Sequence, residues 1–252
     1  MTAAQSPQAR AEPHRFYMWM AYACAGIAFA GFAPTYWAPL ATGSASAPAI
    51  VHLHGLLFSA WTIFFIVQTT LVSQGRVEHH RTLGLLGIAL ATAMLFVGIA
   101  AQIHSIRIGI EAGLENHNRA FSIVPVTIIL TFAALVAAAI ANIKRPEIHR
   151  RLMLVATISI LPPAIARLIA LGVGVPIAPG HPPPLVFSLA PSTASDLLIV
   201  IAMIYDWRTR GSPHRTYLTA GACLLAIQLI RVPLGPSAAW RAVTDGLLAL
   251  AN

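Results

Sequence analysis

Residues 82–103 read T-L-G-L-L-G-I-A-L-A-T-A-M-L-F-V-G-I-A-A-Q-I, twenty-two consecutive positions without a charged side chain. A helix needs about 20 mostly apolar residues to cross roughly 30 Å of hydrocarbon. Six further stretches have the same character: 16–37, 50–73, 120–143, 152–174, 186–205 and 217–235. The chain has 252 residues, 57% hydrophobic and only 10% charged, with a mean hydropathy of +0.73. Soluble domains carry about 45–50% apolar and about 25% charged residues, so a soluble fold could not cover its surface here. The same numbers exclude disorder, and two cysteines exclude a disulfide scaffold.

The expected fold is therefore all-α, a polytopic membrane bundle of seven transmembrane helices over residues 16–235. A cytoplasmic tail, 1–15, precedes it, and a short outer interfacial segment, 236–252, follows. Pro236 ends the last span, and Trp240 and Arg241 suit an interface. Arg10 and Arg15 before an apolar run could also mark a signal peptide. That run exceeds a signal core of about 7–15 residues, and Pro34 after Ala28, Ala30 and Ala33 makes a poor cleavage site, so the first helix is expected to be retained.

Orientation follows from lysine and arginine. Arg10, Arg15, Arg76, Arg81, Lys144, Arg145, Arg150, Arg151, Arg208, Arg210 and Arg215 fall on one side of such a bundle, and Arg107, Arg119 and Arg241 on the other. Eleven against three predicts a cytoplasmic N-terminus and an outside C-terminus. The net charge of +8 is then mainly a topology signal, and nucleic acid is not an expected partner. Cys24 and Cys223 fall within spans and read as small packing residues. Outer segments 38–49 and 172–185 are uncharged and rich in Gly, Pro, Ala and Ser, including Pro176, Pro179 and Pro182–Pro184. Residues 104–119 could form a short surface helix.

The three inner turns share a pattern: E-H-H-R-T-L at 78–83, E-I-H-R-R-L at 147–152 and P-H-R-T-Y-L at 213–218. The pairs His80/Arg81, His149/Arg150 and His214/Arg215 recur at the period of one helical hairpin. This predicts a first helix followed by three copies of a two-helix unit. The pairs read either as interfacial anchors or as a proton-linked or metal-binding ring.

Three of 24 charged residues fall inside spans: Arg167, Asp196 and Arg231. Charges at membrane depth are costly and usually face a bundle interior or a wet cavity. Pro162 and Pro163 break the fifth span about one turn before Arg167, and broken helices often line cavities. His54, His104 and Gln228 share the outer half with these charges. Together Arg167, Asp196, Arg231, His54, His104 and Gln228 form a candidate ligand-binding set. The competing reading is a structural clamp of three helices, and a third is a proton relay through Asp196.

No metal-ligand spacing, nucleophile elbow or phosphate loop is present, so no catalytic residue is assigned and an enzyme is not expected. Haem on His54 and His104 is the cofactor alternative. Gly84, Gly87 and Gly98 read as close-packing positions, and Gln68 as an interhelical hydrogen-bonding group.

The stretches L-H-G-L-L-F-S-A-W at 53–61, P-E-I-H-R-R-L-M-L-V-A-T at 146–157, A-R at 166–167 and Y-D-W-R-T-R-G at 205–211 carry a resemblance over roughly residues 50–241. They resemble a group of bacterial multi-pass inner-membrane proteins without an established activity. The resemblance implies a seven-helix topology and a bacterial cytoplasmic membrane, and no substrate or site. The functional expectation is a membrane protein that binds or transports a small anionic or amphipathic ligand in the outer half. The alternatives are a membrane redox protein and a structural subunit whose charges pair with a partner chain.

Overall fold

A computed structural model describes residues 7–44, 46–178 and 180–250, with side chains from Arg15 onward. Residues 1–6 of the expected tail, the Arg10 side chain, Pro179 and residues 251–252 lie outside the described residues. Among the described residues every regular element is helical, and the protein is the all-α polytopic bundle expected. Among the described residues six helical segments are individually long and apolar enough to cross a membrane, and there are seven if one bent pair crosses as a single span.

Helix α1, Pro7–Phe32, continues through a π-helical turn, Ala33–Trp37, into the short α2, Ala38–Ala41. Pro34 has no N–H to donate, and the chain widens locally instead of stopping. Helices α3, Ala49–Ser73, and α4, Val77–Glu111, form a hairpin closed at Gly75, whose φ is +75°. Helix α4 runs to Glu111, and only α5, Glu115–Phe121, stands as a separate short helix before α6, Ile123–Ala141. The first half of the polar segment 104–119 is thus an extension of α4, and its last five residues lie in the short α5. Helices α7, Pro146–Ser159, and α8, Pro162–Gly172, pass that test together as the bent pair, with 41° between them. Pro162 and Pro163 begin α8, where a missing N–H costs little. A 3₁₀ turn at Leu185–Ser188 leads into α9, Leu189–Arg210, followed by α10, Arg215–Leu234, and α11, Ala238–Ala249.

Helix α7 is the axis of the bundle. It packs against α1, α6, α9 and α10, and Leu152, Leu154, Val155, Ala156 and Ile158 are all buried. A helix covered on every side must satisfy its polar groups locally. Trp61 Nε1 donates to Thr157 Oγ1 at 3.2 Å, and Ser159 Oγ donates to the Ala156 carbonyl at 2.8 Å. Helix α8 fits between α1 and α9. Its approach to α1 is set by Gly31, where a Cβ would lie 2.3 Å from the Ala164 carbonyl oxygen. Small residues let backbones meet this closely.

Several sequence expectations divide. Gly87 and Gly98 pack closely against Phe64 and Ile129, whereas Gly84 faces open space. Cys24 is buried, while Cys223 is exposed on the outer face of the bundle. Gln68 is buried, yet both atoms of its amide lack a partner. Trp240 is buried against the protein: its Nε1 donates to the Arg119 carbonyl and to Ser122 Oγ, both at 3.0 Å. That anchor holds the twelve-residue α11, too short to span, against α5 and the start of α6.

Candidate functional site

The six candidate residues fall into two groups and one isolated position. Helix α8 carries Arg167 toward α1. Arg167 Nε donates to Thr35 Oγ1 at 3.2 Å, and Nη1 donates to the Pro163 carbonyl at 2.9 Å. Its guanidinium carbon lies 4.2 Å from the centre of the Phe32 ring, a cation–π distance. No ion pair to a carboxylate and no bond from Nη2 occurs among the described residues. His54, on α3, is the neighbour that feels this charge. Its ring stacks on Phe58 at 4.1 Å, and its buried Nδ1 has no partner. Close by, Tyr36 Oη and His52 Nδ1 are 3.2 Å apart. The proline-bearing turns supply this geometry, because the π turn carries Thr35 and Tyr36 and α8, which starts at the break, carries both Pro163 and Arg167.

The second group sits between α6, α9 and α10. Arg231 is 3% exposed and donates from Nε to Thr127 Oγ1 at 2.6 Å. Asp196 lies beside Gln228 and within electrostatic reach of Arg231, without a direct ion pair. Asp196 also borders an apolar groove of about 300 Å³ between α9 and α10, lined by Thr193, Val200, Met203, Gly221 and Leu225. Arg167 and Asp196 therefore serve different interfaces.

His104 belongs to neither group, and its buried Nε2 has no partner. His54 lies 21 residues before Gly75 and His104 lies 29 after it. In an antiparallel hairpin this offsets them by about 12 Å along the axis. No contact between their rings occurs among the described residues.

The most tightly built polar cluster was missed by sequence reasoning. Arg151 and Asp206, at the arginine-rich end, have side chains 0% and 2% exposed. Arg151 donates from Nε to Asp206 Oδ2 at 2.8 Å and from Nη2 to Oδ1 at 2.6 Å, a bidentate fork. Its Nη1 reaches the Glu147 carbonyl at 2.7 Å and Glu147 Oε2 at 2.8 Å. Glu147 also pairs with Arg150 and Arg210. The Tyr17 and Tyr217 hydroxyls, 3.2 Å apart, lie under this cluster, with Arg150 over the Tyr17 ring and Arg151 over the Tyr217 ring.

His214, in the turn before α10, donates its backbone N–H to Asp206 Oδ2 at 3.2 Å, and its Nδ1 accepts from the Thr216 N–H at 3.2 Å. Burial, with Arg151 and Arg210 nearby, holds this imidazole below its ordinary pKa. The signal available in sequence was the i,i+4 pair Glu147/Arg151 at one span end and an aspartate, Asp206, at another. No known family model, curated protein or solved structure matches this chain.

Proposed function

We propose that this protein binds an amphipathic molecule in the membrane and holds its anionic head at Arg167. The supporting observation is the guanidinium of Arg167, which sits in a span with no carboxylate partner among the described residues. An arginine inside a span is costly to leave without a partner, which favours a compensating anion. Its depth suits a headgroup, since Arg167 lies five residues, about 8 Å, from the end of α8. The unpartnered His54 Nδ1 offers a second polar contact.

Arg231, by contrast, has Thr127, Gln228 and Asp196 around it, and that group reads best as a clamp between helices. The closed ionic cluster at Arg151 favours binding over passage. The cation count of eleven against three supports an N-terminus in the cytoplasm and a C-terminus outside, and the bacterial inner membrane rests on the resemblance alone.

The test compares thermal unfolding of the purified protein with a long-chain fatty acid and with a zwitterionic lipid of equal chain length. At a hundredfold excess over Kd, the anionic amphiphile should stabilise by about 2.7 kcal/mol. Arg167→Gln should abolish the shift, and Arg231→Gln should lower stability while keeping it. A response of Arg167→Gln equal to that of the parent would remove the basis of the assignment.

A further inference from the structure

Two of the three repeated turn histidines meet in space. His80 begins α4 and His149 begins α7, and their ring centres lie 6.3 Å apart with the planes at 80°. His214, the third, caps α10 and takes no part. His149 Nδ1 lies 2.9 Å from the Ala139 carbonyl. A carbonyl only accepts, so Nδ1 carries the proton and Nε2 keeps a lone pair. A backbone carbonyl that fixes the tautomer in this way is the usual support of a metal-binding imidazole. His80 Nδ1 is buried and has no partner. Gln68, whose backbone carbonyl abuts the His80 ring, is 6% exposed and has both amide atoms unsatisfied. The fold thus gathers imidazole nitrogen and amide groups and gives several of them nothing to bind.

The geometry points to a two-coordinate site for a soft monovalent metal ion, Cu(I), held between His80 and His149. Metal–nitrogen bonds of about 2 Å put two imidazoles bound on opposite sides of one ion about 6 Å apart between ring centres. A tetrahedral pair would bring them to about 5 Å. The observed 6.3 Å fits the linear arrangement. Among the described residues no group of three or more His, Cys, Asp or Glu could hold a metal, so a four-coordinate zinc site is not formed. Arg81, near enough to act on His80, also disfavours a divalent ion relative to a monovalent one. Imidazole is an accepted ligand for copper.

The test titrates Cu(I) into the full-length protein under anaerobic reducing conditions against a coloured Cu(I) chelator. One ion per chain is expected, with an X-ray absorption edge of a two-coordinate nitrogen site. His80→Ala and His149→Ala should each weaken binding by at least about a hundredfold, the upper end of what loss of an outer-shell partner does. His79→Ala, at an exposed neighbour, should leave it unchanged. If His149→Ala does not fold for want of its bond to Ala139, His80→Ala alone decides. No bound copper, or copper retained by His80→Ala at parental affinity, as it would be on Cys24 or Cys223, overturns the proposal.

Discussion

The Arg151–Asp206 pair permits a sharp test of what holds the arginine-rich end together. Replacing Asp206 by Ala removes both acceptors of a bidentate fork, at 2.8 and 2.6 Å, from a guanidinium that is 0% exposed. Glu147 remains within 2.8 Å of Arg151, but its side chain is 41% exposed and already shared with Arg150 and Arg210. Removing one partner of a buried pair costs about 3–5 kcal/mol, because the other charge stays buried without compensation. At about 1.4 kcal/mol per tenfold, the unfolding equilibrium constant should rise by about two to four powers of ten.

Arg151→Met combined with Asp206→Leu removes both charges and should be near neutral, or stabilising by about 1–4 kcal/mol. Reversible unfolding in mixed micelles of rising SDS fraction, followed by tryptophan fluorescence, gives both values. Asp245→Ala is the control, because the Asp245 side chain paired with Arg119 is 60% exposed and such pairs contribute about 0–1 kcal/mol. If Asp206→Ala costs no more than Asp245→Ala, the cluster is hydrated and the desolvation argument fails.

Two further predictions concern packing and pH. Gly31→Ala should destabilise by about 1–3 kcal/mol, since its Cβ would meet the Ala164 backbone at 2.3 Å. Gly26→Ala, with nothing within 4 Å, should instead stabilise by up to about 1 kcal/mol, and the same SDS titration separates them. For His214 the folded state favours the neutral ring, through burial first and then Arg151 and Arg210, against Asp206 and Glu147. The unfolded state therefore binds more protons between the depressed folded value and about 6.5, and stability should rise with pH through that window. His214→Asn, which keeps a capping acceptor for Thr216, should flatten this part of the profile, and an unchanged slope would assign it to other groups.

The spans were legible because each satisfies one condition, an uncharged run of sufficient length, independent of its neighbours. The break at Pro162 and Pro163 was equally local: two missing donors end α7, and the bend of 41° follows. The partners of the intramembrane charges were not local. Depth along a helix places Arg167 and Arg231 in matching layers and Asp196 nearer the middle, within an arginine's reach, but the side of the helix decides contact. Arg167 turns toward Thr35 and Phe32 on α1, whereas Asp196 turns toward α10. Trp240 shows the same limit. Its type suits an interface, and only the tertiary fold supplies the Arg119 carbonyl and Ser122 hydroxyl that allow its burial.

The three turns that carry the His-Arg pairs show how a repeated sequence pattern conceals its own exception. Aligned on their His-Arg pairs, the next residues are Thr82, Arg151 and Thr216. Thr82 is exposed and bonds back to the Glu78 carbonyl at 3.1 Å, and Thr216 is buried at the start of α10. Arg151 occupies the corresponding place on α7, where most residues from Arg151 to Ser159 are buried. A tally of cations treats it as one of eleven, and removing it leaves ten against three, so the orientation argument is unaffected. Its burial is instead set by which hairpin lies at the centre. A cation there requires anions within reach, and Glu147, four residues back on the same helix, and Asp206, on α9, meet that requirement. The repeated pattern thus accounts for where these turns lie along the bundle axis, while departures from it mark which turn leads into the core.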